Sequence, residues 1–143
     1  MRVDVVTDKI VHISATPTDI FVDNSIIVID SLVHSAKFLI IESKDSIQLK
    51  TQYLRVYISK STGQIRFCDT LNNAVLTESG SKMFKAIQVD NKAVYEINQK
   101  FTTQPNEALY GLGANQTGFM DLKGKDLDLF QYNTQAVVPF LVS

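Results

Sequence analysis

Apolar residues recur at every second position in short runs, and Gly, Asn, Asp and Ser break the runs at short intervals. This pattern constrains the fold more than any other feature, because a period of two is the mark of a half-buried β-strand. "RVDVVT" at 2–7 places Val3 and Val5 on one face. "KIVHISA" at 9–15 places Val11, Ile13 and Ala15 on one face, with His12 and Ser14 on the other. "SIQLKT" at 46–51 alternates through Ile47 and Leu49. "YLRVYIS" at 53–59 turns Leu54, Val56 and Ile58 inward, and Tyr53, Arg55 and Tyr57 outward. "SIIVID" at 25–30 and "KFLIIES" at 37–43 are continuous apolar runs, expected as buried strands.

Turn residues fall between the runs. "SKSTGQ" at 59–64 predicts a hairpin into "IRFCD", with Gly63 supplying a positive φ. "DTLNNA" at 69–74 leads into "VLTES", and "VDNKA" at 89–93 links "MFKAIQV" to "VYEINQKF". The best helical candidate, "NSIIVIDSLVHSAKFLII" at 24–41, is too dense in β-branched residues and serine to be read as a helix. Short strands with hairpin turns predict an all-β, antiparallel sandwich or barrel. The 143 residues suffice for one domain with a real core. "AVVPFLV" at 136–142 reads as a strand with no polar tail after it, so the chain is expected to be part of a larger protein.

Composition removes several functional classes. A net charge of −1 with scattered lysines offers no basic stripe for nucleic acid. No apolar run approaches the roughly 20 residues that span a bilayer. "MRVDVVTDK" contains no apolar h-region, so no signal peptide is read here, and the compartment stays open. Cys68 is the only cysteine, which excludes an internal disulfide and a cysteine-rich zinc site. His12 and His34 have no metal-like spacing and read as surface residues. No cofactor is expected.

The least ordinary stretch is "EALYGLGANQTGFMDLKGKDLDLFQYNT" at 107–134, with three of the six glycines within eight residues. A dinucleotide loop would need its third glycine at position 116, which is Gln116, and a helix after it. A Walker loop would need Ser or Thr where "GKD" has Asp126. The glycines are instead expected to form a bulge or tight bend at a sheet edge. Asp121, Asp126 and Asp128 cluster behind them. Asp126 and Asp128 on a strand would share a face, and a solvated strand edge is the plainer reading than acid–base chemistry. "NQT" at 115–117 matches a glycosylation sequon, a short pattern with many chance matches. Tyr53, Tyr57, Tyr95, Tyr110 and Tyr132 could stack on sugar rings, although tyrosine is common on strands for packing alone.

Taken together, these motifs resemble glycoside hydrolase family 31, the α-glucosidases and α-xylosidases. The residues that carry the resemblance are Tyr110 to Gly113, then Gly124-Lys125-Asp126, Gln131 to Thr134, and Pro139-Phe140. "RVDVVTDKIVHISATP" and "LKTQYLRVYISKSTGQIRFCD" resemble the family's earlier strands, with Gly63 and Phe67 in matching places. The similarity covers nearly the whole chain, is strongest over 107–143, and looks most like the bacterial α-xylosidase branch. The resemblance implies a galactose-mutarotase-like antiparallel β-sandwich, with residues 1–143 forming one N-terminal domain. It implies a downstream (β/α)₈ barrel that carries both catalytic carboxylates. The chain has no tryptophan and no Trp-x-Asp-Met-Asn-Glu-like motif, and "PNEA" at 105–108 is only a chance fragment of one. No catalytic residue is therefore expected here.

The resemblance also implies that the chain's partners are its own barrel and an oligosaccharide at the domain junction. Asp126 would accept hydrogen bonds from sugar hydroxyls at the mouth of the barrel. Lys125 stands where the family has arginine, which loses the two-pronged guanidinium contact. Neither nucleic acid nor a membrane is expected as a partner, and the oligomeric state stays open. Two other readings stand beside this one. The chain could be a stand-alone carbohydrate-binding module with a tyrosine platform, or a structural sandwich that makes only protein contacts.

Overall fold

Alternation of apolar and polar residues yields twelve short strands in the computed structural model, which describes residues 1–22, 36–80 and 83–143. Every regular element among these residues is a β-strand, and every pairing is antiparallel. "SIIVID" and His34 lie outside the described residues. The chain divides into two compact units, Met1–Thr102 and Thr103–Ser143.

In the first unit, β1 (Arg2–Val5) and β2 (Val11–Ser14) form a hairpin that sets Val3 opposite Ile13 and Val5 opposite Val11. Five strands follow one another as β3 (Leu39–Glu42), β4 (Ser46–Lys50), β5 (Arg55–Ser59), β6 (Ile65–Cys68) and β7 (Ala74–Glu78). Together with β10 (Phe101–Thr102) they make a six-stranded sheet of order β10-β7-β6-β5-β4-β3. The inward residues of the alternation meet at its centre. Leu49, Val56, Ile58 and Ile65 are buried, and Val3, Val5, Val11, Ile13, Ile47 and Phe67 pack against them. The β1–β2 hairpin thus lies as a second layer on the sheet, the arrangement of a sandwich.

One buried polar group ties the layers together. The Thr51 hydroxyl donates to the Asp8 carbonyl at 2.6 Å and accepts the Leu54 amide at 2.9 Å. A buried hydroxyl left unpaired would cost about 1–3 kcal/mol, so this position selects threonine. The hairpin at 59–64 forms as expected, with Gly63 at φ 68°. A separate ribbon pairs β8 (Met83–Val89) with β9 (Lys92–Asn98). Its two-residue turn places Asp90 and Asn91 at φ 49° and 61°, the conformation that matches the twist of the flanking strands.

The expectation that "FLII" is a buried strand is corrected. β3 is a strand, but Leu39, Ile40 and Ile41 are 63%, 64% and 50% exposed. Among the described residues β3 pairs on one side only, with β4, and the two-stranded hairpin covers only the middle of a six-stranded sheet. Cys68 is fully buried at the register shift where β6 meets β7.

In the second unit, β11 (Tyr110–Ala114) pairs with β12 (Ala136–Val142). Asp126 and Asp128 lie outside any strand, so the expected shared strand face is corrected as well. Gly124 at φ 68°, in the turn just before them, and the length of irregular chain that follows explain why no ladder forms there. No helix among the described residues is long and apolar enough to cross a membrane.

Candidate functional site

The conspicuous glycines serve strand pairing. Register shifts between Gly111 and Gly113, and Leu112 bulges out at φ 60°. Gly111 sits at φ 114° and Gly113 at φ 95°, conformations that side-chain-bearing residues rarely adopt. A Cβ on Gly113 would stand 2.0 Å from the Ala136 carbonyl oxygen, and one on Gly111 would stand 2.4 Å from that of Phe140. The opposing backbone occupies the space that a side chain would need. This is the bend expected from the sequence, with no helix behind it to receive a phosphate.

Between the two strands the chain is stapled by backbone and side-chain hydrogen bonds. The Leu122 amide donates to the Leu109 carbonyl at 2.8 Å, and Leu122 is the buried side chain of this unit. Asp121 Oδ1 accepts the Leu109 and Lys123 amides, each at 3.0 Å. Lys123 Nζ donates to the Gln104 carbonyl, and to the Pro105 carbonyl at 2.8 Å. Glu107 of the "PNEA" fragment accepts the Gln104 amide at 2.7 Å, so its carboxylate is a turn clamp. The Lys125 amide donates to the Leu122 carbonyl at 3.1 Å, closing a turn. Gln131 then fixes the start of β12, accepting the Val137 amide and donating to the Gln135 carbonyl, both at 2.8 Å.

These contacts separate the acidic cluster. Asp121 is committed to the backbone, and the Leu109 amide, followed by the Lys123 amide, holds its carboxyl below the ordinary value of 3.8. A lowered pKa means that the charged form contributes stability above the unfolded value and loses it as pH falls through the folded one. We expect the Leu109 and Lys123 amides to exchange slowly with solvent deuterium at neutral pH. They should lose that protection only below about pH 4. Asp121→Ala should remove the protection at every pH, and unchanged exchange in that variant would contradict the clamp.

Asp126 follows this staple directly, exposed, and makes no hydrogen bond or ion pair with any described residue. Lys125 is also exposed, and its ammonium lies 4.2 Å from the centroid of the Phe119 ring. The two residues that the sequence joins are therefore not ion-paired, and the lysine charge is drawn toward an aromatic face. An open cleft of about 470 Å³ beside them is lined by Tyr110, Asn115, Phe119, Met120 and Leu122, with neither Lys125 nor Asp126 in its wall.

The remaining candidates divide in the same way. Among the described residues no three His, Cys, Asp or Glu side chains could hold a metal. His12 is exposed, 3.8 Å from the Asp4 carboxylate. Within each unit the tyrosines lie on different segments. Tyr57 is on β5, Tyr95 on β9 against Phe84, Tyr110 on β11, and Tyr132 beside Phe130, while Lys9 lies over Tyr53. Asn115 of the sequon is half-buried at the end of β11. The sequence reading missed the clamps Asp121, Glu107, Lys123 and Gln131. Only Asp121 left a local trace, since aspartate readily accepts the amide two residues on.

Fold and site together define an all-β domain that presents an exposed, stapled loop. Its relatives fit that class. Residues 1–138 match the family described as the glycosyl hydrolase 31 N-terminal galactose mutarotase-like domain, and the chain belongs to that family. It is similar in structure to a family 31 α-xylosidase from Xanthomonas citri, at 37% identity and a TM-score of 0.70, over 74% of this chain and 12% of that one. A family 31 α-xylosidase from a soil metagenome, solved with xylose, shares the fold at 24% identity and a TM-score of 0.60, over 74% of this chain and 18% of that one. An uncharacterised family 31 glucosidase of Pseudescherichia vulneris is 36% identical over 73 residues, 46% of this chain and 14% of that protein. The chain therefore spans less than a fifth of the length of each of these relatives.

Proposed function

We propose that this domain serves a retaining α-glycosidase that releases terminal α-linked xylose or glucose. In this reading it packs on a catalytic barrel supplied by the rest of a longer protein, and the loop bearing Lys125 and Asp126 forms part of the rim of the active site. The observation that carries the reading is the state of that loop. Its base is fixed by Asp121, Lys123 and Leu122, while the Asp126 carboxylate just beyond is exposed and unpaired among the described residues. An exposed carboxylate on a loop with a fixed base is suited to accept hydroxyl hydrogen bonds from a sugar. That the structure from Xanthomonas citri, at 37% identity, is an α-xylosidase supports xylose as the first sugar to test.

Apolar exposure supports the packing. Within the first unit Leu39, Ile40 and Ile41 are open, and within the second Met120 and Phe140 are 82% and 64% exposed. Adjoining exposed apolar side chains are suited to an interaction surface.

In the protein at full length, Asp126→Ala should raise KM for a nitrophenyl α-xyloside or α-glucoside by roughly tenfold or more. That corresponds to losing one hydrogen bond to a charged group, about 1.5–3 kcal/mol. The kcat should change less. An unchanged KM would remove Asp126 from the site.

A further inference from the structure

A second set of polar groups converges on the first unit, on the face of the six-stranded sheet opposite the core. Register sets Gln48, Tyr57, Arg66 and Thr77 in one row across β4 to β7. The neighbouring rows, Leu49-Val56-Phe67 and Ile47-Ile58-Ile65, belong to the core, so alternation turns the polar row outward. An open groove of about 270 Å³ lies over this row, walled by Asp45, Tyr57, Ser59, Arg66, Thr77 and Glu78.

The groove is organised before any ligand arrives. The Gln48 amide donates to the Tyr57 hydroxyl at 2.9 Å, and that hydroxyl donates to Asn72 Oδ1 at 2.7 Å, which fixes the ring. The Arg66 guanidinium lies 4.8 Å from the ring centroid. Among the described residues its N–H groups meet no acceptor, and the Asp45 carboxylate meets no donor. The two line one groove without being ion-paired to each other. Glu78, by contrast, is occupied by the Ile65 amide at 2.8 Å.

The charges select the ligand class. Asp45 disfavours an anion in the groove, and Arg66 disfavours a cation. A neutral ligand that both donates and accepts satisfies both groups, and the several hydroxyls of a saccharide do this while the hydroxyls of Ser59 and Thr77 complete the wall. We propose that this groove is a saccharide-binding site in which Arg66 donates to, and Asp45 accepts from, separate hydroxyls of one bound saccharide. The proposal rests on the groove alone and does not depend on the glycosidase reading.

The test is binding of maltotriose and of methyl α-D-xylopyranoside to the full-length protein, measured by saturation-transfer NMR, with D-glucuronate as the anionic probe. Arg66→Ala and Asp45→Asn should each weaken one binding component by tenfold or more. Thermal unfolding and turnover of a nitrophenyl glycoside should stay unchanged, because both side chains are exposed and outside the proposed rim loop. If the glycosidase reading fails while this one holds, that component is the only one seen; if both hold, a second component survives both substitutions. Sugar binding that is equal in wild type and both variants, absence of sugar binding, or preference for glucuronate would each overturn the proposal.

Discussion

Gly113→Ala is expected to break the pairing of β11 with β12. Two penalties add at this one position. The first is conformational, because alanine at φ 95° leaves the allowed regions, and even the milder left-handed region costs about 1–2 kcal/mol. The second is steric. The new methyl would sit 2.0 Å from the Ala136 oxygen and 2.8 Å from the Val138 nitrogen, both rigid backbone atoms. Overpacking of this kind typically adds about 1–3 kcal/mol, so a total near 3 kcal/mol or more is expected. Gly118→Ala is the matched control, since its φ of 74° carries the conformational penalty but nothing lies within 4 Å of the added atom. Hydrogen exchange over 110–114 and 136–142 should separate the two variants. If Gly113→Ala protected these amides as well as Gly118→Ala does, the close approach of the two strands would be wrong.

Ile65→Ala should be the most damaging simple truncation in the first unit. Ile65 is almost wholly buried, in a core cluster whose other buried members among the described residues are Leu49, Val56 and Ile58. Isoleucine to alanine in such a setting costs about 2–5 kcal/mol, through lost transfer energy and the cavity left behind. Ile65→Val removes one methylene and should cost about 0.5–1.5 kcal/mol. With so few residues in the core, neighbours can collapse only partly, which places the alanine variant toward the upper end. The urea midpoint of this unit should fall in that order, with the slope unchanged. Equal midpoints for the two variants would mean that the core lies elsewhere.

Much of this architecture was legible because β-structure writes its period into the sequence. Val3, Val5, Val11, Ile13, Ile47, Leu49, Val56 and Ile58 all face the core as the alternation requires. The turns at Gly63 and Asp90-Asn91 were equally plain, since only a few residue types tolerate their backbone. Period two shows which residues share a face, but it does not show what covers that face. "FLII" was therefore read as buried although β3 is exposed on both faces. Asp121 shows a second limit. Its decisive partner, the Leu109 amide, is twelve residues away, a separation that no local pattern encodes. Asp126 and Asp128 would share a face if they lay on a strand, since charged and apolar residues alternate there, yet no partner strand runs beside them to make a ladder. The family motifs were legible in "YGLG" and "VVPFLV" because the glycine bulge ties that strand pair to specific residue types.

Under the proposed function, this domain assists an α-glycosidase whose chemistry resides elsewhere in a longer protein. The most direct measurement compares the release of nitrophenol from α-xyloside and α-glucoside by the full-length protein and by residues 1–143 alone. We predict release by the full-length protein, with the product sugar first formed as the α-anomer, and none by residues 1–143. Release by residues 1–143 alone, or none by the full-length protein on either substrate, would contradict the account.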